Sequence, residues 1–580
     1  MKVMTKFLVL LLVFAMLLGV TAGCGEKADE PAEPEEPSAP AEPAEPAEPV
    51  EPAEPAEPAE PTEPVEEPQY FPLDEPQSVS FWMSYPPIFD GIADNGPEDF
   101  AFYKEAEAQT NVHIDWSTAS FITARDAFSV LIAGGEYPDV VWGIASYYTG
   151  SFDGAIEDEF LINHKPYIEQ YMSNLCKIFD SDPTYWKDIT TDGGNIAYVS
   201  MMNPTDANLV TGGWVVNTDL LGQSSVTLAP EEITTIDEIT EIATTLKNEG
   251  IVEYPIWMPY TGFYYGSSIG AAFGTSITFQ SRGGQYAPFY YNENDELCFG
   301  GVGENFKNYL AKMNEWYEAG LIDPDFISET QTDQYPTDEA VLNRQVAFFR
   351  TNNNYINYDA VRGTENEVNL AAIPEPRLSD DQQLGIGEPT PTVSSIGGCS
   401  VTTGCPEDKY ELVFKYLDWF YSDAGYVLCN YGVEGVSFNY DDAGVPHFTD
   451  VILNPEEYPQ NTVISFYTGG GTLNIGLANY DKYDDLYNDL QKKSCEVWAS
   501  AGQNTDKMLS QYISLTTDEL NVYTVAMGDI LTYISENAIA FIRGERSLDE
   551  YADYEQIIFD RGIEDVIAVM EAAQARYEAR

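Results

Sequence analysis

From Pro31 to Pro64 every third residue is proline, most often inside an Ala-Glu-Pro triplet. Proline fixes φ near −65° and offers no N–H, so neither a helix nor a sheet can run through such a tract. The three-residue period holds the backbone near polyproline II, and glutamates recurring on the same period repel one another and stiffen it. At ~3.1 Å per residue, Gly25 to Pro68 spans on the order of 140 Å. With nothing to bury, it is expected to stay disordered. The tract divides the chain into a leader (1–23), a spacer (24–68) and a remainder that can fold (69–580).

The leader carries Lys2 and Lys6 ahead of an apolar run from Phe7 to Val20. That run is too short to span a bilayer and is followed by small residues, the pattern of an export signal. Thr21-Ala22-Gly23-Cys24 resembles a bacterial lipobox, in which the Cys is diacylated and becomes the mature N-terminus; Thr21 stands where Leu is usual. Ordinary cleavage near Ala22 is the alternative. No second long apolar run follows, so the rest is expected to be soluble.

Of the formal charge of −69, the leader's two lysines and the spacer's sixteen acids against Lys27 leave −56 for the remainder. Such a surface repels nucleic acid and anionic headgroups, so no nucleic-acid partner is expected. The remainder is too long for one compact domain, and two lobes are expected. Cys176, Cys298, Cys399, Cys405, Cys429 and Cys495 are too sparse for a disulfide framework. Cys399 and Cys405 are close enough in sequence to pair; reduced, buried thiols fit equally well.

The folded part opens as alternating strand and helix. Val79 to Trp82 reads as a strand and Glu98 to Gln109 as a helix; Val112, Ile114 and Trp116 alternate as a second strand. A helix over Arg125 to Ala133 stops at Gly134-Gly135 and leads to a third strand at Pro138 to Trp142. This is the rhythm of a parallel α/β sheet. Thr235 and Glu238 form a capping box for a helix with Ile239, Ile242, Ala243 and Leu246 on one face, ended by Gly250. Another helix follows Pro406, with Val413, Phe414, Leu417 and Phe420 on its buried side. Asp441 to Gly444 reads as a hairpin turn, and the last eighty residues as mostly helical.

Four fragments in order carry a family resemblance. They are Leu131-Ile132-Ala133-Gly134-Gly135-Glu136-Tyr137-Pro138-Asp139-Val140; Asn217-Thr218-Asp219-Leu220-Leu221 with Thr234 to Glu238; Asn343 to Phe348; and Leu417 to Gly425 running on through Asn430 to Gly435 and Thr449-Asp450. Together, behind a lipobox and a Pro-rich spacer, they resemble extracellular solute-binding protein family 1, the LipO-like lipoproteins of Gram-positive ABC carbohydrate importers. The resemblance implies an α/β, two-lobed periplasmic-binding-protein-like fold of type 2, with hinge strands and a helical C-terminal part. Lobe 1 is expected at 69–210 and 350–400, and lobe 2 at 211–349 and 401–580. It further implies a monomer at the outer face of the cytoplasmic membrane, held there by lipidated Cys24. Such a protein hands a small solute, expected to be an oligosaccharide, to ABC permease subunits after hinge closure. Clefts between lobes are where small-molecule sites form.

A sugar presents C–H faces and a rim of hydroxyls, so its binder needs flat aromatics and fixed polar groups; an unpaired buried hydroxyl costs roughly 1–3 kcal/mol. Strand ends are expected to face the cleft. The ligand-binding candidates are therefore Trp82, Tyr85, Trp142, Trp214, Trp257, Tyr260, Tyr264, Arg350, Asn352, Asn353 and Tyr355, with Phe263 in the same loop. Trp116, Trp316 and Trp419 fall inside strand or helix patterns and read as core. Glu434 reads as a loop-structuring residue.

Gly266-Ser267-Ser268-Ile269-Gly270 matches the G-x-S-x-G elbow of hydrolases, but its setting is glycine-rich, and His447 is the only histidine downstream. A carboxylate pair of the glycosidase kind carries no signal among 96 acids. His113, His164 and His447 show no zinc spacing, and Asp441, Asp442 and Asp450 read as a solvated turn with calcium binding as the alternative, so neither metal nor cofactor is expected. No P-loop is present, so ATP would be used by partner proteins. An oligopeptide binder and a secreted glycoside or ester hydrolase remain the alternatives to a sugar binder.

Overall fold

The computed structural model describes residues 70–580 apart from 86–88, 90, 206–209, 259–268, 280–287, 328–335, 354–355, 357–363, 365, 388–390, 395–396, 470–472 and 501–504. Two large hydrophobic cores organise these residues.

The first core is built on Gln77–Tyr85 (β1). Ala101–Thr110 (α1) ends on Asn111 in the left-handed region and returns as Val112–Ser120 (β2). That strand runs parallel to β1 in register from Gln77 opposite Val112 to Tyr85 opposite Ser120. Ala124–Gly134 (α2), closed by Gly135 at φ 69°, leads to Val140–Trp142 (β3), again parallel to β1. Val79, Phe81 and Trp82 are all buried, so both faces of β1 are covered, as a parallel sheet requires. A late segment, Cys399–Val401, closes the other edge antiparallel to β3. Asp139, just before β3, accepts the Ser80 amide at 2.7 Å and Lys409 Nζ at 2.5 Å. Burial acts to raise its pKa, yet those bonds hold it below the usual carboxylate value.

The second core has Gly212–Asn217 (β4) between Phe348–Asn352 (β5) and Leu370–Ala372 (β6), both antiparallel to it. One face is covered by Ile236–Asn248 (α3), Gly303–Glu318 (α4), Thr517–Ile542 (α5) and Ile563–Glu578 (α6). The α3 capping box forms as expected from Thr235 and Glu238. Helix α5 has the length and composition of a membrane span, but it sends Met527, Ile530, Ile534, Ala538 and Phe541 into this core. On the opposite face Val215, Phe349 and Trp498 form a smaller cluster.

The division of the chain between the cores departs from the sequence-based expectation. Segment 348–372, assigned largely to lobe 1, belongs to the second sheet, where Phe348 and Phe349 bury on opposite faces of β5. Segment 401–475, assigned to lobe 2, belongs to the first core: Phe414 stacks on Tyr167 at 5.2 Å, and Val401, Leu417 and Phe420 are buried there. The stripe on Tyr410–Trp419 announces burial without saying against what. Among the described residues the core to which the chain belongs changes three times, in passages between 203 and 210, 386 and 393, and 477 and 490. These passages lie side by side: Asn203 N donates to Thr392 O, Ser394 N to Met201 O and Ala478 N to Met202 O, at 2.8–2.9 Å.

Candidate functional site

Of the described candidates, Tyr85, Trp142 and Asn352 stand at strand ends as expected, whereas Trp82, Trp214 and Arg350 lie within their strands and Trp257 in none. In the first lobe β1 and β3 bring Trp82 and Trp142 to either side of Tyr147, with ring centroids 6.3 and 6.2 Å from it. The Tyr147 hydroxyl is 2.7 Å from Ser84 Oγ. A Cβ at Gly143 would stand 2.7 Å from the Tyr147 ring, so glycine is required there, at φ 94°. Trp142 Nε1 donates to Leu473 O at 2.7 Å, and Gly397, at φ 82°, lies against the same indole. Both tryptophans are less than a tenth exposed, with Trp142's one donor already used. Tyr85 is half-buried, edge-on to Phe100 at 6.4 Å.

In the second lobe the β4–β5 register sets Gly212 opposite Asn352, Gly213 opposite Thr351 and Trp214 opposite Arg350. Asn352 and Arg350 are half-buried, whereas Trp214 is buried and its Nε1 has no hydrogen-bond partner. Asn353 is buried: its amide donates to Thr211 O at 2.8 Å, its Nδ2 to Cys495 Sγ at 2.8 Å, and its Oδ1 has no partner. Trp257 lies beside β5, its amide donating to Phe348 O at 2.8 Å. It lines a cavity of about 470 Å³ with Tyr254, Met258, Asp323, Phe326 and Arg344. Its Nε1 is buried without a partner. What Trp257 offers the cavity is its half-exposed ring, the flat apolar surface that the C–H face of a sugar needs.

The third passage adds a feature the sequence reading missed. Tyr480, Tyr483 and Tyr487 stack with centroids 6.1 and 4.5 Å apart and planes 20° from parallel. Tyr480 donates to Asn203 Oδ1 at 2.9 Å, tying this passage to the first. Between them Lys482 donates to Asn430 Oδ1 at 3.2 Å, and burial brings its ammonium pKa down to about 8. The spacing i, i+3, i+7 was the available signal, an aromatic stripe on a helical stretch.

Cys24, Tyr260, Phe263, Tyr264, Ser268 and Tyr355 lie outside the described residues. His447 is exposed and bonds Asp485 through Nδ1 at 3.0 Å. Asp441 Oδ1 accepts the amides of Ala443 and Val445, both at 2.8 Å, closing the hairpin turn. The six described cysteines, Cys399 and Cys405 included, are free thiols, and burial pushes Cys405 and Cys429 to about 12. Trp316 is core, donating to Thr240 Oγ1 at 2.8 Å, and Trp419 is buried in the first core.

Two lobes, each ending its sheet at a set of three adjacent passages, define the fold of the two-lobed solute-binding proteins. No protein-family model matches the chain. The chain is 22% identical over 555 residues to the fructooligosaccharide ABC transporter substrate-binding protein FusA of Streptococcus pneumoniae serotype 4, spanning 88% of this chain and 92% of FusA. Among solved structures it is similar to S. pneumoniae FusA in complex with kestose, with TM-score 0.66 and 17% identity over 87% of this chain and 99% of that one. The alginate-binding protein AlgQ2 without calcium ion gives TM-score 0.65 and 18% identity over 87% and 99%. An extracellular solute-binding protein from Bifidobacterium longum subsp. infantis gives TM-score 0.66 and 13% identity over 87% and 98%.

Proposed function

We propose that this chain is the extracellular substrate-binding component of an ABC importer and that it captures an oligosaccharide by closing its two lobes. The observation that carries this reading is the hinge: three hydrogen-bonded passages join two strand-end surfaces that offer aromatic and amide groups. Hinge closure about such passages is the established behaviour of two-lobed binders. FusA, a fructooligosaccharide binder, and AlgQ2, an alginate binder, share the architecture. The leader and Cys24 support a lipid anchor at the outer face of the membrane, with the Pro-rich spacer as its tether and membrane permease subunits as the partners. Within this class the ordered fragments favour the LipO-like lipoproteins of family 1. We assign ligand contact first to Trp257, with Arg350, Asn352 and Asn353 beside it, and no catalytic role to any residue.

The test is a thermal-shift screen against kestose, alginate oligomers, human-milk and N-glycan oligosaccharides and short peptides, with product analysis of each mixture. A ligand at a hundredfold over its Kd adds about 2.7 kcal/mol of stability. A rise with a sugar that is recovered intact supports the reading. A rise with peptides alone removes the sugar, and turnover removes the binder. Labelling with radioactive palmitate, lost in Cys24→Ser, tests the anchor.

A further inference from the structure

Away from the strand ends, one polar network joins the two lobes through side chains. Its acceptor is Asp192, on the turn after the first-lobe helix Pro183–Ile189. Asp192 Oδ2 receives Arg576 Nε at 2.6 Å, and Oδ1 receives Arg580 Nε at 3.0 Å and Nη2 at 2.6 Å. Arg576 lies on α6, whose Val566, Met570 and Ala573 are buried in the second core. Its two terminal nitrogens fork onto Glu519 at 2.8 and 2.6 Å, in the first turn of α5. Arg580 Nη1 donates to Thr190 O of the first lobe and to the carbonyl of Tyr512, whose ring packs on the first core while its neighbours Leu509 and Ile513 are buried in the second.

Three features separate this network from an ordinary surface ion pair, which contributes little. The side chains of Arg580 and Asp192 are only 8% and 12% exposed. Arg580 places two nitrogens on one oxygen of Asp192, and Arg576, which meets the other oxygen, is itself held by a two-oxygen fork onto Glu519, the geometry that makes guanidinium–carboxylate pairs strong. The turn is also built in advance: Asp153 accepts Thr191 Oγ1 at 2.5 Å, the Gly193 amide at 3.0 Å and Asn195 Nδ2 at 2.8 Å, so Asp192 is held in place from its own side. The network reaches the hinge directly. Tyr577 donates to Asp188 Oδ1 at 2.6 Å, while Thr392 donates to Asp188 Oδ2. The Val393 amide donates to the Tyr512 hydroxyl at 2.9 Å.

We infer that Arg576 and Arg580, gripping Asp192, clasp the two lobes beside the second passage and fix the pivot about which they close. They are positioning residues, remote from the strand-end candidates, and their importance for capture rests on the proposed hinge-closing function. The clasp itself is tested without ligand, so it stands or falls separately from the sugar reading.

The experiment is amide hydrogen exchange on the full chain carrying Cys24→Ser, alone and with Asp192→Asn or Arg580→Lys added. The informative amides are Asn203, Val393, Ser394 and Ala478 in the passages, against Phe81 and Val215 in the two sheets. Releasing the clasp is expected to speed exchange in the passages by about tenfold to a hundredfold and leave the sheet amides unchanged. Arg580→Lys, which keeps the charge but not the fork, is expected to give a smaller rise in the same place. Unchanged exchange in the passages overturns the clasp. A uniform rise in passages and sheets also overturns it, since that is the signature of general destabilisation. If Asp192→Asn does not fold, Arg576→Gln carries the same comparison.

Discussion

Gly213 lies directly beneath the indole of Trp498: a Cβ at 213 would overlap Cδ1, while Trp498 Nε1 donates to the carbonyl of Trp214 at 2.9 Å. The strand that begins the second sheet is therefore clamped at its cleft end by a fully buried ring from a helix far along the chain. The ring cannot retreat without breaking its bond to Trp214. Gly213→Ala should cost roughly 1–3 kcal/mol by overpacking. Chemical denaturation measures it; a loss below about 0.5 kcal/mol would mean that the helix shifts freely.

Burial also decides how the candidates Trp82, Trp142 and Trp214 can be tested, since each is less than a tenth exposed. Truncating Trp142 or Trp214 to Ala would remove core volume, at roughly 3–5 kcal/mol each, so neither substitution reports cleanly on ligand contact. A milder change isolates one bond. Trp142→Phe keeps most of the volume and removes the donor to Leu473 O, a residue with no exposed surface. Removing that donor should cost roughly 1–3 kcal/mol. Denaturation midpoints check it, and an unchanged midpoint would place water at that carbonyl.

His164 supplies a pH dependence. It is fully buried, accepts the Val401 amide at Nε2 (2.8 Å), and burial lowers its pKa to about 3. The unfolded ring titrates near 6.5, so between pH 6.5 and 3 the unfolded state binds the extra proton. Its contribution is then complete above pH 6.5 and shrinks as the pH falls, by about 2 kcal/mol at pH 5. Asp418 opposes this: burial raises its carboxyl to about 6, so it favours the folded state more as the pH falls through that value. Stability of wild type and His164→Gln, measured from pH 7 to 4.5, separates the two. The gap between them should narrow on acidification; a constant gap would show that the buried ring is protonated.

What could be read from the sequence was local. Thr235 and Glu238 sit three residues apart, so the α3 cap declares itself. The β1–α1–β2–α2–β3 series follows from period changes and from Gly134-Gly135. The allocation of segments to lobes did not follow, because both cores demand the same apolar residues: nothing in Val413, Phe414 and Leu417 distinguishes the first core from the second. Tryptophans at strand ends were legible as positions, but whether a ring lies flat on a cavity or inside a core depends on partners such as Tyr147, Leu473 and Trp498. Those partners lie up to 331 residues away in sequence. The clasp was equally invisible, since Asp192 meets Arg576 and Arg580 only after the whole chain has folded.

Trp257 differs from the other described candidate tryptophans in combining partial exposure with a place on a cavity wall. Trp257→Ala should therefore leave folding nearly intact while removing a stacking face from the site. If kestose or another oligosaccharide emerges from the screen, calorimetry should show its affinity falling roughly tenfold to a hundredfold, or about 1.4–2.7 kcal/mol. Trp257→Phe, which keeps an aromatic face, should recover most of that loss, since the Nε1 it gives up is buried. Asn353→Ala offers the polar counterpart, since its Oδ1 is buried and unpaired. If both alanine variants bind as tightly as wild type at unchanged stability, the ligand sits elsewhere in the cleft, and the tyrosine stack at 480, 483 and 487 becomes the next surface to probe.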